Sequence, residues 1–121
     1  MALMLPRDMV QATAISCSAM TLALAAPRDG RPETVEPLGQ GWVAEEALAI
    51  ALYACLAGRG FEDALRIAVT HGGDSDSTGA IAGNMLGAMD PEAVLAHRWI
   101  AQVEVADVVE RLVDEWVGLQ G

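Results

Sequence analysis

The sequence has 121 residues, enough for one domain with a modest core. Apolar residues make up 53% of it, and aromatics are limited to three Trp, one Tyr and one Phe, so alanine, leucine and valine must do most of the packing. The formal net charge is −10 and the seven basic residues form no patch, which excludes a nucleic-acid surface, because neutralising phosphates takes clustered Lys and Arg.

Residues 9–26, "MVQATAISCSAMTLALAA", carry no charge and end in an Ala-Leu-Ala sequence like a signal-peptidase site. Gln11, Thr13, Ser16, Ser18 and Thr21 deny the segment a dense apolar centre, and Asp8 offsets Arg7, so it fits neither an export signal nor a membrane span. It is expected to be a core helix of a cytoplasmic protein, stopped by Pro27 and "PRDGRPE". Cys17 and Cys55 both sit in apolar runs without zinc spacing, which reads as two buried thiols in a reducing compartment.

"TVEPLGQG" (34–41) is expected to be a loop punctuated by Pro37, Gly39 and Gly41. Residues 42–57, "WVAEEALAIALYACLA", are apolar nearly all round apart from Glu45 and Glu46, the pattern of a deeply buried helix. At least one of the two glutamates should lie at the helix surface or in its N-terminal turn, where the helix dipole favours an acid. "FEDALRIAV" (61–69) places Phe61, Ala64, Leu65 and Ala68 at helical spacing with acids in the first turn, a short amphipathic helix. A further helix should run from about Thr78 to Ala88. Asp90-Pro91-Glu92 is a helix start with a cap, a proline at the first position and an early acid. Within 92–117, Val105, Val108, Val109, Leu112 and Trp116 make one apolar stripe. No alternating strand pattern persists, so the reading is an all-α bundle and a single domain over 1–121.

The chemistry concentrates in "HGGDSDSTGAIAGNMLGA" (71–88). Asp74 and Asp76 stand two apart, followed by Ser77, and from an extended turn both carboxylates can reach one ion. Carboxylate and hydroxyl oxygens suit Mg²⁺, Mn²⁺ or Ca²⁺ better than zinc. Gly72 and Gly73 offer backbone freedom just before them, and Gly79, Gly83 and Gly87 recur every fourth residue, as where another backbone packs closely on a helix. A solvated Asp/Ser helix cap is the plain alternative. An EF-hand loop from Asp74 fails, because its twelfth position is Met85 in place of a glutamate. The D-x-D-x-T pattern of haloacid-dehalogenase-type phosphatases is met by Asp74, Asp76 and Thr78, but that motif needs a strand running into its first Asp, and here His71-Gly72-Gly73 follow a helical pattern.

This stretch, with "LGQGWVAEEALAIALYACL" (38–56) upstream, resembles the ADP-ribosylglycohydrolase family, of the dinitrogenase reductase-activating glycohydrolase and ADP-ribosylarginine hydrolase type. The resemblance covers residues 36–117 and implies an all-α bundle holding two Mg²⁺ (or Mn²⁺) ions. It implies that Asp74, Asp76 and Ser77 ligate metal, with Asp74 and Asp76 serving catalysis, and that Gly39, Gly41 and Trp42 face the adenosine end of the substrate. A core position for Trp42 is the alternative. The implied reaction is hydrolysis of the bond between ADP-ribose and a protein side chain or small acceptor. Family members are much longer, and their N-terminal half supplies further acids, including a Thr-Asp-Asp-Thr cluster. No Asp-Asp pair occurs in this sequence. The chain is therefore expected to be a C-terminal half whose site is incomplete alone, pairing with itself or with a partner chain, or else an inactive half-domain that binds ADP-ribose, metal or a partner. His71 is expected to satisfy a helix C-terminal carbonyl, and His97 and Trp99 to be structural.

Overall fold

A computed structural model describes residues 18–121. Residues 9–17 of the expected first helix, Cys17 among them, lie outside the described residues. Every regular element among the described residues is helical, as expected. The chain divides into two compact units, residues 1–89 and 90–121.

In the first unit, α1 is the described helical stretch 18–25. Its C-terminal carbonyls are capped by Arg28, whose guanidinium donates to the carbonyls of Ala23 (2.8 Å) and Leu24 (2.9 Å). The segment expected to be a loop instead folds into α2 (Pro32–Val35) and a 3-10 turn (Glu36–Leu38). Pro32 and Pro37 each occupy a first-turn position, where the missing N–H costs nothing, so these prolines start helical turns instead of preventing them. Val35 and Leu38 drop into the core from this segment.

Helix α3 (Ala44–Ala57) is the centre of the unit and packs on α4 (Phe61–Val69) and α5 (Ser75–Met89). Ala47, Ala49, Ile50, Ala51, Tyr53 and Ala54 are buried, and the alanines permit the close approach of neighbouring helices. Leu48 and Leu52 are only half covered and Leu56 is exposed, so one face of this all-round apolar helix stays open. On α5 the buried stripe is Thr78, Ala82 and Leu86, at the four-residue spacing of one helix face. The expected glycine face is not where another backbone approaches. A Cβ on Gly79 would meet the Val69 side chain at 2.7 Å, one on Gly83 would be in ordinary contact with Leu65, and one on Gly87 would meet open space. The glycines lie one residue round from the buried stripe, which explains their lighter contacts.

In the second unit, Asp90 caps α6 (Pro91–Leu95), its carboxylate accepting the Ala93 N–H at 3.1 Å, as the sequence indicated. The last helix expected within 92–117 forms with Val108, Val109, Leu112 and Trp116 on it, but Val105 stays outside and the helix runs on to Gln120. After α6 and a 3-10 turn (Ile100–Gln102), Val103 is extended and Val105 left-handed, and α7 (Ala106–Gln120) starts only there. Its apolar stripe, including Val109, Leu112 and Trp116, is exposed. No helix among the described residues is long and apolar enough to cross a membrane.

Tyr53 is fully buried and ties the core helix to the loop after α1. Its hydroxyl donates to the Pro27 carbonyl (2.7 Å) and accepts from the Gly30 N–H (3.1 Å). Burial is the first cause raising its pKa. Tyr53→Phe strands both backbone groups. It is expected to cost about 1–3 kcal/mol, seen as a lower urea midpoint with an unchanged slope.

Candidate functional site

The acidic stretch lies at the start of α5, and the helix begins three residues earlier than the sequence indicated. The Thr78 N–H bonds back to the Asp74 carbonyl (3.2 Å), so the helix opens at Asp74, and Asp76 and Ser77 occupy its first turn instead of an extended loop. Two residues apart within a helix would point to nearly opposite sides. Asp74 precedes the helix, and this frees its side chain to turn back toward Asp76. The Asp74 carboxyl is held below the usual carboxylate range, first by a hydrogen bond with Asp76, then by one with the Ser77 hydroxyl. Partial loss of hydration opposes this, while the Ser77 backbone adds to it.

The donors that converge are two carboxylates and a hydroxyl, all hard oxygens at one helix start. In kind they fit Mg²⁺ or Mn²⁺. In number they fill about half of a six-coordinate shell, and no cluster of three or more His, Cys, Asp or Glu occurs among the described residues. The donors present match such an ion in kind and fall short of it in number.

A buried latch fixes this turn. Thr78 is fully buried, and its hydroxyl donates to the Ala68 carbonyl near the end of α4 (2.6 Å). His71 lies beside it. Its Nδ1 accepts the Gly73 N–H (3.1 Å), which leaves the ring proton on Nε2 to donate to Thr78 Oγ1 (2.9 Å) and toward the Ala68 carbonyl (3.0 Å). His71 thus meets the expected helix-end carbonyl, and it also holds the loop that follows. The Ser75 hydroxyl adds a bond to the Val69 carbonyl (3.0 Å). Thr78 is committed to this latch and no strand leads into Asp74, which disposes of the phosphatase-like pattern.

The two sequence stretches singled out above meet here. The Asp74 N–H donates to the Gln40 carbonyl at 2.7 Å. A Cβ on Gly73 would lie 1.9 Å from that same carbonyl oxygen, so Gly73 is required for close approach, whereas one on Gly72 would meet nothing. Neither glycine has a positive φ, so the expected backbone freedom is not what either supplies. Gly41 is buried, with φ +79°, and a Cβ there would lie 2.9 Å from the Thr78 methyl and 3.5 Å from the Asp74 carbonyl oxygen. Glu46, in the first turn of α3, turns one carboxylate oxygen onto the backbone N–H groups of Gln40 (3.0 Å) and Gly41 (3.1 Å). Trp42 is no core residue. It is 69% exposed, and its indole N–H donates to the Gln40 side-chain oxygen (3.2 Å). Sequence reasoning missed the parts played by Gln40, Thr78 and Glu46. The only signal available was Glu46 itself, an acid in the first turn after a glycine-rich loop.

Elsewhere, burial pushes the Cys55 thiol up, and it lies 3.8 Å from the Ala82 carbonyl. The sequence reading expected a buried thiol here, and Cys55 is half-covered. His97 and Trp99 make an edge-to-face contact with centroids 4.7 Å apart, within the second unit.

The family model described as ADP-ribosylglycohydrolase matches residues 3–121. An uncharacterized protein of Archaeoglobus fulgidus is 35% identical over 78 residues, which are 64% of this chain and 25% of that protein. The matched segment thus spans about a quarter of the length of this curated relative. No solved structure matches the chain at a significant level.

The crossing of the two stretches yields a paired prediction. Gly73→Ala forces its methyl onto the Gln40 carbonyl and must open the Asp74 bond, at a cost of about 1–3 kcal/mol plus the lost hydrogen bond. Gly72→Ala has open space and should stay within about 0.5 kcal/mol of the parent. Parallel thermal melts of the two variants compare them directly.

Proposed function

The chain belongs to the ADP-ribosylglycohydrolase family, and on that premise we propose that it serves divalent-cation-dependent hydrolysis of the glycosidic bond joining ADP-ribose to a protein side chain, of arginine type, or to a small acceptor. Asp74, Asp76 and Ser77 are the cation ligands in this reading, Mg²⁺ or Mn²⁺ being the ion and two ions the complement of the full site. Gly41 and Trp42 are the substrate side. The observation that carries the reading is the meeting of the Gln40–Trp42 segment with the Asp74 turn: Gln40 links the exposed indole to the acidic turn, through its side-chain oxygen on one side and its backbone carbonyl on the other.

Each residue has a definable task. A bound divalent ion supplies a Lewis acid that can engage vicinal ribose hydroxyls and acidify water. Asp74 and Asp76 supply the negative charge that holds it, and the Ser77 hydroxyl adds a neutral donor. As positive charge develops at C1 of the ribose, a neighbouring carboxylate stabilises it and can take the proton of the attacking water. Trp42 offers an aromatic face to the adenine ring, and Gly41 keeps its own side of the approach free of a side chain. The acidity of the chain makes a cation necessary in this scheme, since ADP-ribose brings two phosphates to a protein of formal charge −10.

The donor count favours a site completed from outside these residues, by a second copy or by a partner chain carrying further acids. The same count supports a second reading, an inactive half-domain that binds ADP-ribose, metal or a partner. The two part on one experiment. The isolated chain is expected to release ADP-ribose from ADP-ribosylated arginine slowly at best. Whatever Mg²⁺-dependent release occurs, alone or with a complementing chain, should fall by at least about a hundredfold in the Asp74→Asn, Asp76→Asn double variant. Release that persists in that variant refutes the assignment. Partner or ADP-ribose binding that persists while no release is ever seen selects the second reading.

A further inference from the structure

Between the exposed indole and the paired acids runs a continuous set of bonds. Glu46 Oε2 accepts the N–H groups of Gln40 and Gly41 at 3.0 and 3.1 Å. Gln40 then faces both ways: its backbone carbonyl accepts the Asp74 N–H at 2.7 Å, and its side-chain oxygen accepts the Trp42 indole N–H at 3.2 Å. Three glycines make the crossing close enough. A Cβ on Gly39 would strike the Glu46 carboxyl at 2.4 Å, one on Gly41 the Thr78 methyl at 2.9 Å, and one on Gly73 the Gln40 carbonyl at 1.9 Å. A carboxylate accepting two backbone N–H groups makes charge-assisted bonds, stronger than neutral ones. Glu46 also stands in the first turn of α3, and α3 packs against α5, so the strap it holds is anchored to the helices that frame the acidic turn.

We propose that Glu46 is a positioning residue that acts through Gln40: it holds the Gln40–Trp42 strap on the Asp74 backbone, so that cation binding at Asp74 and Asp76 and the setting of the Trp42 indole are coupled. This rests on the cation reading given above and adds what that reading lacks, a means for the two halves of the ligand site to sense each other. The direction follows from the bonds. An ion that pulls the Asp74 carboxylate moves or stiffens the residue whose N–H holds Gln40, and Gln40 carries the indole. Conversely, loosening the strap at Glu46 leaves the Asp74 backbone less fixed, and the ion then has to order it on binding.

The test uses the full chain with Trp99→Phe and Trp116→Phe, so that emission comes from Trp42 alone. Mg²⁺ is titrated by calorimetry and by emission, at a temperature where each variant is folded by circular dichroism. The background protein should bind Mg²⁺ with a matching change in Trp42 emission. Glu46→Gln should weaken Mg²⁺ binding roughly fivefold, about the worth of one net hydrogen bond, and Glu46→Ala further, while the exposed Glu33→Gln, with the same change in charge, leaves it unmoved. Gln40→Ala keeps the backbone carbonyl, so it should retain Mg²⁺ affinity and lose the emission change. Mg²⁺ binding with flat Trp42 emission, or Glu46→Gln binding like the background protein, overturns the coupling while the cation reading stands. Calorimetry silent on the background protein overturns the cation reading, and the coupling with it.

Discussion

The hydrogen bond from the Asp74 N–H to the Gln40 carbonyl is the constraint around which this unit is organised. It joins a turn between two helices to a strap before a third, and at 2.7 Å it admits no side chain on Gly73. Everything near it serves to keep both partners in place. On one side, Thr78 and His71 lock the turn to the end of α4 with one buried and one part-buried hydrogen bond. On the other, Glu46 fixes the strap from the first turn of α3. The three helices that pack together are therefore the same three that meet at this crossing, so the stability of the core and the geometry of the acids are one problem.

Much of this was legible in the sequence, for identifiable reasons. Helix α3 announced itself through an unbroken apolar run, α4 through Phe61, Ala64, Leu65 and Ala68 at helical spacing, and α6 through the Asp90-Pro91 start, because these signals are local. The errors were also local rules overruled. Pro32 and Pro37 read as breakers yet begin short helical turns, since a proline is harmful only where its N–H is needed. The last helix starts at Ala106 because Val105 takes a left-handed conformation, which a β-branched residue rarely signals. At the site, the types and spacing of Asp74, Asp76 and Ser77 were visible, but their placement across a helix start was not. Gln40 was invisible because its part is played by a backbone carbonyl as much as by its side chain. Thr78 looked like a member of the acidic motif, and only tertiary packing shows its hydroxyl turned inward to Ala68.

The placement of the acids at a helix start bears on the chemistry proposed for them. A helix N-terminus carries partial positive charge, and a carboxylate there is stabilised as an anion without help from a basic side chain. Asp74 is accordingly held below the usual carboxylate range by hydrogen bonds within its own turn, with Asp76 first and then Ser77. An arginine in that role would neutralise the pair and compete with a cation. A carboxylate stabilised by the helix dipole and by hydrogen bonds remains free to bind one. In the reading proposed above, three protein donors would leave coordination positions open for a substrate hydroxyl and a water. The shortage of acids and the suitability of those present thus belong to one arrangement. In the reading proposed above, this turn would be one wall of the site, with the exposed Trp42 at its rim, and further acids would have to come from outside it.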